Sequence, residues 1–114
     1  MSDCLFCKFV SGELKTDIVF ENDQVLGFKD IYPQAKEHYL FISKKHTENI
    51  NEMMSSDSEG VLAVYAAIKE FTTEAGLSDT GFRVVTNLGR DGGQTIFHTH
   101  FHVLAGEALG SFGS

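Results

Sequence analysis

The stretch from His98 to Leu104 constrains the fold more than any other part of the chain, because three of the five histidines recur there at alternate positions. Successive side chains of a β-strand point to opposite faces, so His98, His100 and His102 are expected on one face of a strand. On a helix the three imidazoles would spread over about 200° of the surface. The residues between them are β-branched or aromatic and suit a packed opposite face: Thr99, Phe101 and Val103.

Such a row of imidazoles serves two kinds of chemistry. Neutral imidazole is a common metal ligand, and a His-x-His segment on a strand can hold one ion with two rings. Imidazole also acts as a nucleophile or as an acid-base catalyst, with neighbouring rings managing protons and charge. A half-exposed strand that happens to be rich in histidine is the alternative without chemistry. The spacing favours chemistry and leaves the choice between the two kinds open.

The length of 114 residues predicts one domain over residues 1–114 with a single core. No apolar run approaches the roughly 20 residues of a membrane span, and no basic and apolar leader is visible, so we expect a cytoplasmic protein without a membrane partner. The formal net charge of −7 disfavours long nucleic acids and anionic membranes as partners. It leaves room for a small anionic ligand that local donors would hold.

The apolar pattern predicts five strands, the first two as a hairpin within residues 17–29 and the others over residues 38–42, 82–87 and 96–104. Helices are expected over residues 4–10, in a turn or two within 47–54, and over about 57–75. Asp3 is the expected N-cap of the first helix, and Ser56 with Glu59 has the spacing of a capping box for the long one. One long helix, a short N-terminal helix and five strands indicate an α+β domain with a five-stranded antiparallel sheet.

Two further motifs leave alternatives open. Cys4 and Cys7 are too close in sequence to staple a fold, and in a reducing compartment such a pair is more often metal-binding or redox-active than a disulfide. The glycine-rich loop over residues 88–94 is either a plain hairpin turn or a loop whose backbone N–H groups approach a phosphate closely. His38, at the start of a strand, is expected at the surface without a partner.

Together these segments resemble the histidine-triad family, whose pattern is His-φ-His-φ-His-φ-φ with φ apolar, and Thr99 is the one departure from it within residues 98–104. The segments around the triad are similar to those of the Hint branch of that family, in the same order over nearly the whole chain: Asp30-Ile31, Lys44-Lys45-His46, Val84-Val85-Thr86-Asn87 and Asp91-Gly92-Gly93-Gln94-Thr95. This ordered set is a more specific signal than the triad alone.

The resemblance implies a fold and an activity. Members of the branch are homodimers whose sheets continue across the two-fold axis, with the main helices packed at the interface. They bind purine nucleoside monophosphates and hydrolyse phosphoramidates, such as adenosine 5′-phosphoramidate or aminoacyl-adenylate-like substrates. The middle histidine forms a transient nucleotidyl-histidine, which water then cleaves. We therefore expect a hydrolase acting on P–N or phosphoanhydride bonds, with purine nucleotides as its partners.

The same resemblance assigns roles to residues. The nucleophile is His100, and the other catalytic residues are His98, His102 and Thr95, which stands where the most similar members carry Ser. Neutral imidazole is a competent nucleophile at about pH 7, and a second imidazole on the same strand face suits a donor to a phosphate oxygen. The expected nucleotide-binding residues are Asp30, Ile31, Asn87, Gly93, Thr95, His100 and His102.

A subset of the family binds structural zinc, and the resemblance implies that Cys4, Cys7, His46 and His98 are its ligands here. The ion would tie the N-terminal helix to the histidine strand. Thiols in a partly buried helix without metal are the alternative. A catalytic metal held by all three triad histidines is disfavoured, because it would occupy the lone pair of the nucleophile.

Two other functions remain open. A dinucleoside polyphosphate hydrolase of the Fhit type is an alternative enzyme, although its loop before the triad differs from Asp91–Gln94. A nucleotide-binding or interaction module without catalysis is the second alternative. The tail over residues 107–114 lacks the tryptophan-and-proline ending of some Hint proteins, so a leaving-group preference is not carried over.

Overall fold

The computed structural model describes residues 4–111, which form three helices and five strands. All strand pairs are antiparallel, and the spatial order is β1-β2-β3-β5-β4. The α+β class and the five-stranded antiparallel sheet are confirmed. The helical turns expected within 47–54 belong to a separate short helix over Ile50–Ser56. The elements are α1 (Leu5–Ser11), β1 (Ile18–Glu21), β2 (Val25–Lys29), β3 (Glu37–Ser43), α2 (Ile50–Ser56), α3 (Ser58–Glu74), β4 (Phe82–Val85) and β5 (His100–Ala105).

The two faces of the sheet pack against different helices. On the face that we call the helix face, buried strand residues form one cluster with α3: Phe41, Phe101 and Val103 with Val64 and Ile68. On the opposite face, here called the histidine face, a second cluster joins α1 to β2 and β3: Phe6, Leu26, Phe28, Leu40 and Ile42. Because side chains alternate along β5, His100 and His102 lie on the histidine face.

Strand β5 lies inside the sheet, between β3 and β4. His102 is paired with Leu40 of β3 and with Val85 of β4, and His100 is paired with Ile42 of β3. Pairing on both sides at His102 and on one side at His100 fixes the positions of these two residues in the sheet. The register of the sheet therefore sets where the candidate site lies.

The long helix α3 begins differently from the prediction. Ser56 belongs to the end of α2, where its hydroxyl donates to the carbonyl oxygen of Glu52 at 3.0 Å. Asp57 occupies the N-cap position of α3 without a side-chain capping bond. The predicted capping box of Ser56 and Glu59 is therefore wrong, because the Ser56 hydroxyl is used by the preceding helix.

Helix α1 is capped by a cysteine. The sulfur of Cys4 accepts a hydrogen bond from the backbone N–H of Cys7 at 3.4 Å, and Gly12 ends the helix with a left-handed φ of 82°. The predicted cap, Asp3, lies outside the described residues. The capping contact brings the two cysteines together at the start of the helix.

Strand β5 begins at His100 rather than at Ile96. The backbone N–H of Thr99 donates to the carbonyl oxygen of Thr47 at 2.8 Å, so the chain before His100 is attached to the loop that precedes α2. Strand β4 likewise ends at Val85, earlier than predicted. Within residues 4–111, no helix combines the length and the apolar character needed to cross a membrane.

Candidate active site and metal cluster

The three triad histidines share one side of the molecule but belong to two groups of side chains. The ring of buried Phe6 lies beside two of them, with its centroid 5.9 Å from that of His98 and 5.1 Å from that of His100. The rings of His100 and His102 are 5.1 Å apart. His98 approaches the cysteines at the start of α1, whereas His100 and His102 line a cavity. The row of imidazoles is present, and its last two members face the cavity.

The cavity lies on the histidine face and has a volume of about 350 Å³, within the range of small-molecule sites. Its polar lining includes Asp30, Thr95 and the two triad histidines of β5. Much of the remaining wall is apolar: Leu5, Phe6, Phe9, Phe28, Leu40 and Ile96. A few polar groups beside an apolar wall suit a ligand that has both a charged and an aromatic part.

A backbone carbonyl sets the tautomer of His100. Its Nδ1 atom lies 2.7 Å from the carbonyl oxygen of His98, and a carbonyl oxygen only accepts hydrogen bonds. Nδ1 therefore carries the proton of the neutral ring, and Nε2 keeps a lone pair. Burial lowers the pKa of His100 below its ordinary value of 6.5, so the ring is neutral at neutral pH. A neutral imidazole in this tautomer is a suitable nucleophile.

A second buried histidine, His38, sets the tautomer of His102. The backbone N–H of Gln34 donates to Nδ1 of His38 at 2.9 Å, which leaves the proton of a neutral His38 on Nε2. That Nε2 lies 2.9 Å from Nδ1 of His102 and 3.4 Å from a carboxylate oxygen of Asp30. Nδ1 of His102 consequently accepts, and its own proton is on Nε2. Burial, together with the neighbouring rings of His100 and His38, lowers the pKa of His102 to about 4.

The expectation that His38 lies at the surface is wrong. The residue is 5% exposed, and its side chain joins Asp30 to His102. Alternation along β3 was the available signal, because His38 shares a strand face with Leu40 and Ile42, which belong to the cluster on the histidine face. Its partner on β5 depends on the register between two distant strands, which one sequence does not supply.

Four side chains from three parts of the chain converge beside α1. Nδ1 of His98 lies 3.3 Å from the sulfur of Cys4 and 3.5 Å from that of Cys7. Nδ1 of His46 lies 3.3 Å from the sulfur of Cys7 and 3.1 Å from Nδ1 of His98. Nε2 of His98 donates to the carbonyl oxygen of Ser43 at 3.1 Å, so its Nδ1 holds a lone pair. The four donor atoms lie within 4.8 Å of one another, close enough to bind one metal ion.

A second group of possible ligands is formed by Asp30, His38 and His102, also within 4.8 Å. Both nitrogens of His38 are engaged there, since Nδ1 accepts from Gln34 and Nε2 donates toward His102. A metal ligand needs a nitrogen lone pair, and a neutral His38 has none left for an ion. This group therefore fits a chain of hydrogen bonds rather than a metal site.

The other predicted site residues divide between the cavity and the glycine-rich loop. Asn87 lines an adjoining cavity of about 380 Å³, and its amide donates to the carbonyl oxygen of Gly92 at 2.7 Å. The two cavities share Gln34, His38 and His102. Gly93 has a left-handed φ of 86° and is not among the residues that line these two cavities. The first cavity brings together five of the predicted nucleotide-binding residues: Asp30, Ile31, Thr95, His100 and His102.

Comparisons with known proteins agree with this arrangement. Residues 3–113 match the family model described as scavenger mRNA decapping enzyme C-term binding. A HIT-like protein of Rickettsia prowazekii is 37% identical over 106 residues, which cover 92% of this chain and 88% of that protein. The purine nucleoside phosphoramidase of Escherichia coli K12 is 31% identical over 108 residues, which cover 95% of this chain and 91% of that enzyme.

Comparison with solved structures also finds histidine-triad proteins. A histidine triad protein from Clostridium difficile has a TM-score of 0.94 and 38% sequence identity, and the alignment covers 98% of this chain and 97% of that one. Similarity of sequence and of fold thus extends along almost the whole chain, including the strand that carries His100 and His102. The chain belongs to the histidine-triad (HIT) family.

Proposed function

We propose that this chain is a nucleotide-binding hydrolase that cleaves purine nucleoside phosphoramidates through a covalent nucleotidyl intermediate on His100. The observation that carries the proposal is the environment of this residue, which is buried, with Nδ1 held at 2.7 Å from the His98 carbonyl oxygen. The similarity to a purine nucleoside phosphoramidase supports the choice of substrate class. Adenosine 5′-phosphoramidate and aminoacyl-adenylate-like compounds are the proposed substrates.

In the proposed reaction, Nε2 of His100 forms a bond to the α-phosphorus while the bond from phosphorus to the leaving nitrogen breaks. The ring becomes an imidazolium whose Nδ1–H already donates to the His98 carbonyl oxygen, which stabilises the new charge. The leaving nitrogen takes up a proton, and we assign its delivery to the hydroxyl of Thr95 in the cavity wall. Water then attacks the phosphorus and gives one proton back to the Thr95 oxygen, while the bond from Nε2 to phosphorus breaks, which releases the nucleoside monophosphate and the neutral imidazole.

His102 is the proposed donor to a non-bridging phosphate oxygen. Its proton is on Nε2 because Nδ1 accepts from Nε2 of His38 at 2.9 Å. The negative charge on the phosphate oxygens changes as one bond to phosphorus forms and the other breaks. A preorganised N–H donor stabilises the charge in the transition state without the reorganisation that water would need. The Asp30 carboxylate, 3.4 Å from His38, favours positive charge along this chain of hydrogen bonds.

The base and ribose are proposed to occupy the cavity beside α1. Ile31 is 78% exposed at the cavity rim, where its side chain would cover one face of a purine. Asp30 is the proposed acceptor for ribose hydroxyls, because its carboxylate, which already binds the backbone N–H of Tyr32 at 2.8 Å, has further acceptor positions. Asn87 and Gly93 are proposed to act on the phosphate side, from the glycine-rich loop.

Zinc is the proposed metal of the cluster formed by Cys4, Cys7, His46 and His98. In a tetrahedral site with Zn–N of about 2.05 Å and Zn–S of about 2.3 Å, the donor atoms lie about 3.3 to 3.8 Å apart. Three sulfur–nitrogen separations in the cluster and its nitrogen–nitrogen separation are 3.1 to 3.5 Å, close to those edges. When bound, the ion supplies a cross-link between α1 and the bend before β5.

A homodimer is proposed as the working assembly, with one domain over residues 1–114 in each copy and a cytoplasmic location. Two features of the described chain support the dimer: β4 lies at an edge of the sheet, and α3 exposes Leu62 at 74% and Tyr65 at 46%. We expect a charge on this helix, as in Leu62→Glu, to shift the sedimentation coefficient from that of a dimer to that of a monomer. An unchanged dimer would contradict this choice of interface.

Turnover of a fluorogenic adenosine phosphoramidate tests the proposed activity. His100→Asn keeps a polar side chain without the nucleophilic nitrogen, and we expect kcat/KM to fall by more than about 1000-fold. Asn51→Ala, at an exposed position of α2, is the control with unchanged turnover.

Two outcomes would replace the proposal. Binding of AMP without turnover in the parent protein would favour a binding module. Faster turnover of diadenosine polyphosphates than of the phosphoramidate would favour a dinucleoside polyphosphate hydrolase.

A further inference from the structure

Helix α1 belongs to both the metal cluster and the cavity. Cys4 and Cys7, at its start, supply two of the four donor atoms of the cluster. Leu5, Phe6 and Phe9 of the same helix form part of the cavity wall. A helix of seven residues is too short to be stable by itself in water. The position of this wall therefore depends on what the side chains of α1 contact.

Side chains, rather than backbone, attach α1 to the sheet. Beyond its own helical bonds, the backbone of α1 forms hydrogen bonds only within residues 4–14 of the described chain. The rings of Phe6 and Phe9 lie 5.3 Å and 5.1 Å from that of Phe28, which is one attachment. The contacts of the two cysteine sulfurs with the histidines of the cluster are a second attachment. A bound metal ion would turn this second attachment into a set of coordination bonds.

Phe6 lies where the two sites meet. It is 2% exposed, and its ring contacts imidazoles of both sites edge to face. The interplanar angle is 69° with His98 of the metal cluster and 86° with His100 of the cavity. A shift of α1 would therefore move the ring that packs against the proposed nucleophile, in addition to the cavity wall.

We propose that Phe6 is a positioning residue that links the two sites, so that metal binding at the cluster raises the affinity of the cavity for a nucleotide. The inference rests on the proposed nucleotide-binding function. Metal binding fixes α1 before the nucleotide arrives, so the nucleotide no longer has to order this wall itself. Because coupling between two binding sites is reciprocal, a bound nucleotide raises the metal affinity by the same factor.

The test compares AMP binding to the full chain in two metal states, by isothermal titration calorimetry, after chelation and after reloading with Zn²⁺. Both forms are measured where circular dichroism shows them folded. We expect AMP to bind about 10-fold more tightly to the zinc-loaded protein, and Zn²⁺ to bind more tightly by the same factor when AMP is saturating.

Two results would overturn the proposed coupling between metal and nucleotide binding, and only one of them would also contradict the proposed function. Equal AMP affinities with and without Zn²⁺ would remove the coupling and leave the proposed function standing. No AMP binding in either metal state would contradict the proposed function as well.

Variants at Phe6 separate positioning from general packing. Phe6→Leu keeps apolar bulk but removes the ring between His98 and His100, and we expect the zinc-dependent gain in AMP affinity to fall below about 2-fold. A purely structural defect would weaken AMP binding in both metal states and leave their ratio unchanged. Phe6→Tyr keeps an aromatic ring and should keep the ratio of the two AMP affinities at the parent value. Phe97→Leu, the same change at a residue 51% exposed, is the matched control and should also leave the ratio unchanged. A parent-like ratio in Phe6→Leu would overturn the role of Phe6.

Discussion

Nε2 of His38 lies 2.9 Å from Nδ1 of His102, and the backbone N–H of Gln34 on the other nitrogen of His38 decides which of the two rings donates. The backbone N–H of Gln34 therefore sets the tautomer of His38 directly and that of His102 through His38. A backbone group also sets the tautomer of His100, whose Nδ1 donates to a backbone carbonyl oxygen. The proposed active site is therefore preorganised by hydrogen bonds to main-chain groups.

Removal of His38 should lower the rate without removing the nucleophile. We expect His38→Leu to reduce kcat by about 10- to 100-fold, because Nδ1 of His102 loses its donor and the other tautomer becomes populated. His38→Gln keeps an N–H donor at this position and should lose less. Steady-state kinetics with the fluorogenic phosphoramidate give both values. Equal losses in the two variants would contradict a role in fixing the tautomer.

The pH dependence of stability should report the buried ring of His102. Its pKa is about 4 in the folded protein against an ordinary value of 6.5, so the unfolded chain binds more protons between these two pH values. The free energy of unfolding should therefore fall as the pH falls from 6.5 to 4. The contribution of His102 is at most about 1.4 kcal/mol per pH unit, and His38, His98 and His100 add to the slope because their pKa values are lowered as well. Urea denaturation in the presence of a chelator measures it. His102→Asn should flatten the curve, and an unchanged slope in that variant would contradict this assignment.

Loss of one cluster ligand should remove the metal. The protein purified with metal is expected to hold one zinc ion per chain by elemental analysis, and the cobalt-substituted form should show thiolate charge-transfer absorption. Cys7→Ser should lose both signals and lower Tm, because binding to the folded state adds about 4 kcal/mol of stability when the free ion is 1,000 times above its Kd. Ser58→Ala, at an exposed position, serves as the control. Zinc retained by Cys7→Ser would contradict the ligand set.

Gly27 tests the packing of the sheet on the helix face. A methyl group at this position would lie 2.7 Å from the ring atoms Cε2 and Cζ of Phe41, its cross-strand partner. We expect Gly27→Ala to cost about 1 to 3 kcal/mol, measured by urea denaturation, since the buried Phe41 ring has little room to move. In a Phe41→Leu background the same change should cost less. Equal costs in the two backgrounds would show that the ring is not the cause.

Alternation along one strand predicted the central part of the site. His100 and His102 needed only the period-two spacing of side chains, and the apolar residues between them predicted the buried opposite face. The strand order and the convergence of Cys4 with His98, which are 94 positions apart, needed long-range pairing. The resemblance to a family supplied that information for the metal cluster.

Local competition and missing registers explain the remaining errors. Ser56 has the spacing of a capping residue, but its hydroxyl donates to the carbonyl oxygen of Glu52 in α2 instead. The start of β5 was predicted too early because Thr99 is attached to Thr47 instead of to a strand. His38 was missed because its neighbour His102 lies on another strand, and no local pattern relates two residues 64 positions apart.

The proposed reacting groups and one part of the cavity wall come from separate segments of the chain. The imidazoles of His100 and His102 project from an interior strand, whereas Leu5, Phe6 and Phe9 of the wall lie on a seven-residue helix early in the chain. We therefore expect substitutions in that helix to change which molecules bind, while the histidine strand keeps its place in the sheet. In this architecture, a few early residues can alter recognition separately from the strand that carries the imidazoles.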